Sequence, residues 1–172
     1  DFHMPVGPVT AYMQAFFFIV TGGFSWSAIA LHAAAVGAMS IVLVYLVVRV
    51  YANSILALLA ALVTAYSFYL PVSYPWPDQS AFFMSLIGIA ALLLAHKLDQ
   101  DNKWRLGLAA VAGLAVFAAL LSKPNIGATV AVLLSVSWLT VAALRARSWT
   151  DWRSLYEPAI FAGTAVAALL LF

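Results

Sequence analysis

Residues 26–48 read WSAIALHAAAVGAMSIVLVYLVV, an apolar run without a single Asp, Glu, Lys or Arg. A transmembrane helix needs about 20 consecutive, predominantly apolar residues, so this run is long enough to cross a bilayer. A helix that is apolar on every side has no polar face to turn towards water. The stretch therefore predicts a membrane-spanning helix.

The rest of the sequence has the same character. Of its 172 residues, 66% are hydrophobic and only 8% are charged, whereas soluble domains are about 45–50% apolar and about 25% charged. So few charges cannot cover the surface of a water-soluble domain, and this hydrophobicity also excludes a disordered chain. The basic residues are scattered, which argues against a nucleic-acid partner. The sequence contains no cysteine, so it has no disulfide and no thiolate metal site.

Five further apolar stretches follow, separated by charged, polar or proline-rich turns; they are residues 52–71, 79–97, 106–122, 126–144 and 158–172. An earlier stretch, residues 8–21, is only 14 residues long and ends at Gly22-Gly23, so it suits an interfacial helix better than a span. We predict an all-α, polytopic transmembrane helix bundle with about six spans and one extracytoplasmic juxtamembrane helix. The bundle is one domain over residues 1–172, in which 1–23 form the outer loop and juxtamembrane helix and 24–172 form the transmembrane helices.

The placement of the basic residues predicts the orientation. If residues 8–21 do not cross the membrane, seven of the eight basic residues share one face: Arg49, Lys97, Lys103, Arg105, Arg145, Arg147 and Arg153. The positive-inside rule makes that face cytoplasmic and leaves only Lys123 outside. The chain starts at Asp1 without a methionine and ends in an apolar run, so we expect a fragment of a longer membrane protein.

The candidate site lies at the predicted outer end of the bundle. Only His32 falls well inside a span, where we expect it to hydrogen-bond a neighbouring helix, whereas pumps usually carry several ionisable groups at membrane depth. The outer end gathers a small set of polar residues in aromatic, proline-rich turns: Asp1, His3, Tyr74, Asp78, Gln79, Lys123 and Asn125.

Each of the main candidates has a structural interpretation and a functional one. Asp78 follows a proline at a helix start, where it could cap the helix or bind a metal ion, sugar or phosphate. Lys123 could be a snorkelling lysine that ends a helix, or the cation for a lipid phosphate. His3 could bind a metal ion, hold an acceptor or transfer a proton. Tyr74 could stack on a sugar, although interfacial aromatics need no such role.

Four segments, in order along the chain, resemble those of GT-C type membrane glycosyltransferases, in particular bacterial protein mannosyltransferases and the aminoarabinose transferase of lipid A. The first is His3-Met-Pro-Val-Gly-Pro8 followed by Tyr12, similar to a segment of the first outer loop. The others are Arg49-Val-Tyr, Pro77-Asp-Gln-Ser-Ala-Phe-Phe83 and Gly113-Leu-Ala-Val-Phe-Ala-Ala-Leu-Leu-Ser-Lys-Pro124.

The resemblance implies transfer of a sugar from a polyprenyl-phosphate donor to a lipid, glycan or protein acceptor. It places this reaction at the extracytoplasmic face of the inner membrane of a bacterium. It implies a main catalytic aspartate before Asp1, with Asp78 as the catalytic candidate within this sequence, where it would shape the site. Lys123 would lie at the leaving phosphate. It further implies that His3, Asp1 and Tyr74 contact substrate, and that Asp78 and His3 hold a divalent ion if one is used.

Two other functions stay open. A transporter or flippase-like permease predicts ionisable residues or broken helices at mid-membrane and an internal repeat. A non-catalytic scaffold predicts that alanine at Asp78 or Lys123 leaves the activity of the full protein intact.

Overall fold

The computed structural model of the chain describes residues 7–68, 77–98, 102–145 and 156–171. Within these ranges every regular element is an α-helix, which confirms the all-α bundle. The helices are α1 Pro8–Thr21, α2 Trp26–Arg49, α3 Ser54–Phe68, α4 Pro77–Lys97, α5 Trp104–Ser122, α6 Pro124–Arg145 and α7 Tyr156–Leu171.

In the described ranges, four helices are long and apolar enough to cross a membrane: α2, α4, α5 and, over residues 124–141, α6. Three shorter apolar helices accompany them, namely α1, α3 and α7. Many large apolar side chains on the bundle's outer surface are exposed, among them Ile55 at 69% and Leu170 at 81%. Such a surface is stable in lipid, and the protein is an integral membrane protein.

The helix ends follow from local sequence. Gly22 (φ 83°) and Gly23 (φ 143°) take the positive φ values that favour glycine. Their amides donate to the carbonyls of Ile19 and Phe18, which closes α1 with a Schellman motif. The Ser25 hydroxyl then accepts a hydrogen bond from the Ala28 amide and caps α2.

Several helices begin earlier than the apolar runs predict. The α4 and α6 helices start at Pro77 and Pro124, because proline fits the first turn of a helix, where its missing amide proton costs nothing. The α5 and α7 helices likewise start two residues before the predicted boundaries, at Trp104 and Tyr156.

The α5 helix lies at the centre of the bundle and packs against α1, α4, α6 and α7. Its buried surface is built largely of small residues, including Ala109, Ala112 and Ala119, all with no exposed area. Gly113 allows α7 to approach so closely that a Cβ atom there would lie 2.5 Å from the Phe161 carbonyl oxygen. Small residues at helix contacts are typical of membrane bundles, since van der Waals packing replaces the hydrophobic effect there.

The bundle has two ends, which hold different groups. We call the upper end the one where α2, α4 and α6 begin and α5 finishes, and the lower end the opposite one. The α1 helix contacts α2, α4 and α5, and it lies at the upper end because Gly7 touches the last residues of α5, Leu121 and Ser122.

Candidate functional site

An ion pair at the upper end joins two of the predicted site residues. The Lys123 ammonium contacts the Asp78 carboxylate, so the pair links the start of α4 to the junction between α5 and α6. The two side chains are 37% and 48% exposed, respectively. Both therefore remain accessible to a ligand at the end of the bundle.

The position of Lys123 follows from the proline behind it. A residue before proline is driven out of the helical region, and Lys123 accordingly has φ −151° and ψ 105° between α5 and α6. Its amide still donates to the Ala119 carbonyl at 2.9 Å, so the lysine is anchored to the end of α5. Gly127 then packs directly on the backbone of Leu120, which turns α6 tightly back along α5.

Asp78 lies in the first turn of α4, directly after Pro77. A carboxylate is favourable there because the helix start carries unpaired amides and the positive end of the helix dipole. The sequence therefore places Asp78 correctly at a helix start, whereas its partner is set by the packing of α4 on α5.

The chain enters α1 beside this pair. A Cβ atom on Gly7 would overlap the carbonyl oxygens of Leu121 and Ser122, the two residues before Lys123. Only glycine allows this approach, so the start of α1 is held close to the ion pair. The other predicted substrate residues, Asp1, His3 and Tyr74, lie outside the described residues.

A hydrogen bond between α1 and α2 lies at the same end of the bundle. His32, which has no exposed area, donates from Nδ1 to Gln14 Oε1 at 2.7 Å, because an amide oxygen can only accept. Its ring also stacks on Phe17, with the ring centroids 4.9 Å apart. The expected hydrogen bond from His32 to a neighbouring helix is thus confirmed.

Seven buried polar side-chain atoms have no hydrogen-bond partner among the described residues, two of which, Ser40 Oγ and Arg105 Nε, lie away from the upper end. The other five are on α1 and in the first two turns of α2 and α4: Thr10 Oγ1, Gln14 Nε2, His32 Nε2, Gln79 Oε1 and Ser80 Oγ. These five atoms belong to the upper part of the bundle. Buried polar atoms are normally paired, so these atoms give the upper end a capacity to bind water or hydroxyl groups. In the sequence, Thr10 and Gln14 are spaced four residues apart, which places them on one face of α1.

The described residues do not form a metal site. None of them belongs to a group of three or more His, Cys, Asp or Glu that could hold an ion, and the Asp78 carboxylate contacts an ammonium. Because His3 lies outside the described residues, the divalent ion stays a prediction, and no catalytic step is derived through it.

A second ion pair, at the lower end, was missed by the sequence reasoning. Arg105 on α5 lies 2.5 Å from the Glu157 carboxylate on α7, and these side chains are only 6% and 16% exposed. From the sequence, Arg105 was used only as one of the basic residues of the cytoplasmic face, and Glu157 was not singled out. Since both belong to helices, they join α5 to α7.

The sequence of residues 5–172 matches the family described as dolichyl-phosphate-mannose-protein mannosyltransferase. The chain belongs to this family. The match covers nearly the whole chain, and it confirms the resemblance to GT-C type membrane glycosyltransferases. No curated protein and no solved structure matches the chain significantly.

Membership in the mannosyltransferase family indicates membrane glycosyltransferase activity with a polyprenyl-phosphate sugar donor. It thereby favours the enzyme over the permease and the scaffold. The family also implies an acceptor that is associated with the membrane.

Proposed function

We propose that the upper end of the bundle transfers a sugar, a hexose or a pentose, from a polyprenyl-phosphate donor to a lipid, glycan or protein acceptor. In this proposal the upper end faces the extracytoplasmic side of a bacterial inner membrane. The observation that carries the proposal is the exposed Asp78–Lys123 pair, which presents a positioned ammonium at the membrane boundary.

The proposed reaction is a displacement at the anomeric carbon. The acceptor hydroxyl attacks that carbon, its proton passes to a carboxylate base, and the bond to the phosphate oxygen breaks with inversion. The bonding electrons stay on the phosphate oxygen, which gains negative charge. A cation fixed near that oxygen lowers the barrier, because it is already in place where the charge develops.

Lys123 supplies this cation in our proposal. An ammonium group has three donor hydrogens, and one directed at Asp78 leaves two for phosphate oxygens. Asp78 is then a positioning residue, which holds the lysine over the end of α5. Asp1, His3 and Tyr74 contact the sugar or the acceptor.

The test is a transfer assay on the full-length protein with a polyprenyl-phosphate sugar donor. We expect Lys123→Gln to lower kcat about 100-fold, a loss typical of removing one donor that stabilises developing charge. We expect Asp78→Asn to lower it only about 2- to 5-fold, since an exposed ion pair contributes about 0.2–1 kcal/mol. Lys103→Gln is the matched control, because Lys103 is an exposed lysine at the lower end.

Two outcomes would change the assignment. If Asp78→Asn lowered kcat by 10³-fold or more, Asp78 would be the general base rather than a positioning residue. If the Lys123→Gln variant transfers sugar at the wild-type rate, Lys123 does not stabilise the leaving phosphate. That result would favour the non-catalytic scaffold.

A further inference from the structure

A groove lies between α2 and α4 at the lower end of the bundle, opposite the Asp78–Lys123 pair. It encloses about 360 Å³. Its walls are apolar and include Leu43 and Leu46 from α2 and Leu93 and Leu94 from α4. Leu46 and Leu94 are 53% and 55% exposed, so the groove opens to the outside of the bundle.

Two cations line the lower end of this groove. Arg49 is in the last turn of α2 and Lys97 in the last turn of α4, and both belong to its lining. No acidic residue is among the described residues of this lining. One guanidinium nitrogen of Arg49 donates to the Ala52 carbonyl at 3.1 Å. Arginine has five donor hydrogens, so most of them remain for another acceptor.

The dimensions fit one leaflet of a membrane. The lining runs from residue 43 on α2 to Val50, which follows its last residue, and from residue 90 to 97 on α4. Each side is thus about 10 Å long. A leaflet contributes about 15 Å of hydrocarbon, half of the roughly 30 Å core. The leucines therefore lie at the depth of acyl chains when the two cations lie at the depth of phosphate groups.

We propose that this groove binds an anionic phospholipid from the leaflet at the lower end. The phosphate accepts hydrogen bonds from Arg49 and Lys97, and an acyl chain lies along the leucines. Charge complementarity favours an anionic lipid. A zwitterionic headgroup carries a positive charge of its own, which Arg49 and Lys97 would repel. Basic pockets between transmembrane helices on the cytoplasmic side bind anionic headgroups by the same physics. The site is separate from the proposed donor site, since the length of α4 lies between them.

The test uses the full-length protein in nanodiscs that contain phosphatidylglycerol or phosphatidylcholine, with bound lipid counted by native mass spectrometry. We expect the wild type to retain phosphatidylglycerol in preference to phosphatidylcholine. The double variant Arg49→Gln/Lys97→Gln should bind phosphatidylglycerol about 30-fold more weakly, equivalent to about 1 kcal/mol for each basic residue. Lys103→Gln should bind it like the wild type, because Lys103 is exposed at the same end but does not line the groove.

A second variant tests the apolar part of the groove. Ala90 is part of its lining, so Ala90→Phe fills space that an acyl chain would occupy while both cations remain. We expect this variant to lose bound phosphatidylglycerol as well. The transfer assay should be unaffected in the double variant, which keeps this proposal distinguishable from that for the upper end.

Four results would overturn the proposal. The first is equal retention of the two lipids by the wild type, and the second is wild-type retention by the double variant. The third is displacement of phosphatidylglycerol by stoichiometric polyprenyl phosphate, which would make the groove a donor site. The fourth is a fluorophore on Leu94→Cys that brominated phosphatidylglycerol does not quench, which would show that another protein segment covers the groove.

Discussion

His32 is the largest of the fully buried side chains in the described part of the bundle. Its one described hydrogen bond reaches Gln14, so α1 is fixed to α2 through a pair of side chains. Hydrogen bonds between helices in a membrane contribute about 0.6 kcal/mol on average and at most about 1.7 kcal/mol. The bond is thus modest in energy, but it sets the rotation of α1 on the bundle.

We expect Gln14→Leu and His32→Leu to be non-additive. The coupling free energy in the double-mutant cycle should be about 0.6–1.7 kcal/mol, because either single change leaves the other polar group unpaired. The measurement is thermal or denaturant unfolding of the purified full-length protein. Thr21→Val is the control on α1, because the Thr21 hydroxyl bonds to Phe17 of its own helix and is exposed. If the two losses in the free energy of unfolding were strictly additive, the His32–Gln14 hydrogen bond would be ruled out.

Among the elements, the position of α6 depends on one glycine. A Cβ atom on Gly127 would overlap the backbone of Leu120 and Ala119 at the end of α5. Backbone cannot move aside as a flexible side chain can, so the helices would have to separate. Lys123 lies between these two helices, and its position therefore depends on their close contact.

We expect Gly127→Ala to destabilise the protein by about 1–3 kcal/mol, the usual cost of overpacking. Gly163 on α7 is the matched control, because a Cβ atom there meets nothing within 4 Å. Gly163→Ala should be neutral or stabilising by up to about 1 kcal/mol, since alanine is the better helix former. Unfolding temperatures of both variants give the comparison, and equal shifts would contradict the close α5–α6 contact.

The helices themselves were largely predictable, but their partners were not. The bounds of α1 agree with the sequence prediction because Pro8 and Gly22-Gly23 mark both of its ends. Asp78 and Lys123 were placed at the same end of the bundle, yet their pairing depends on how α4 crosses α5, which no local pattern encodes. Arg105 and Glu157 were missed because both α5 and α7 extend past the apolar runs and carry these charges into the packed bundle.

At the scale of the whole molecule, helices α2 to α7 alternate in direction. Lys103 therefore lies at the lower end and Asn125 at the upper end, while α1 stays at the upper end with α2. The described cations other than Lys123 whose side-chain positions are defined lie at the lower end, namely Arg49, Lys97, Lys103 and Arg105. This asymmetry supports a cytoplasmic lower end under the positive-inside rule.

Cysteine labelling of the full-length protein, freed of other cysteines, tests this topology. We expect Lys103→Cys to react with an impermeant maleimide only from the cytoplasmic side and Asn125→Cys only from the opposite side. Tyr12→Cys on α1, where the native side chain is 70% exposed, should react from the same side as Asn125→Cys. Labelling of Tyr12→Cys together with Lys103→Cys would show that α1 crosses the membrane.

The Arg105–Glu157 pair has a consequence for biosynthesis. During translation α5 is made before α7, so Arg105 reaches the membrane boundary while its carboxylate partner is still unsynthesised. An unpaired charge resists burial, and losing one partner of a buried pair costs about 3–5 kcal/mol. The lower end of α5 therefore completes its packing only after α7 has been inserted. Insertion of α7 is thus a late step on which the final packing of the bundle depends.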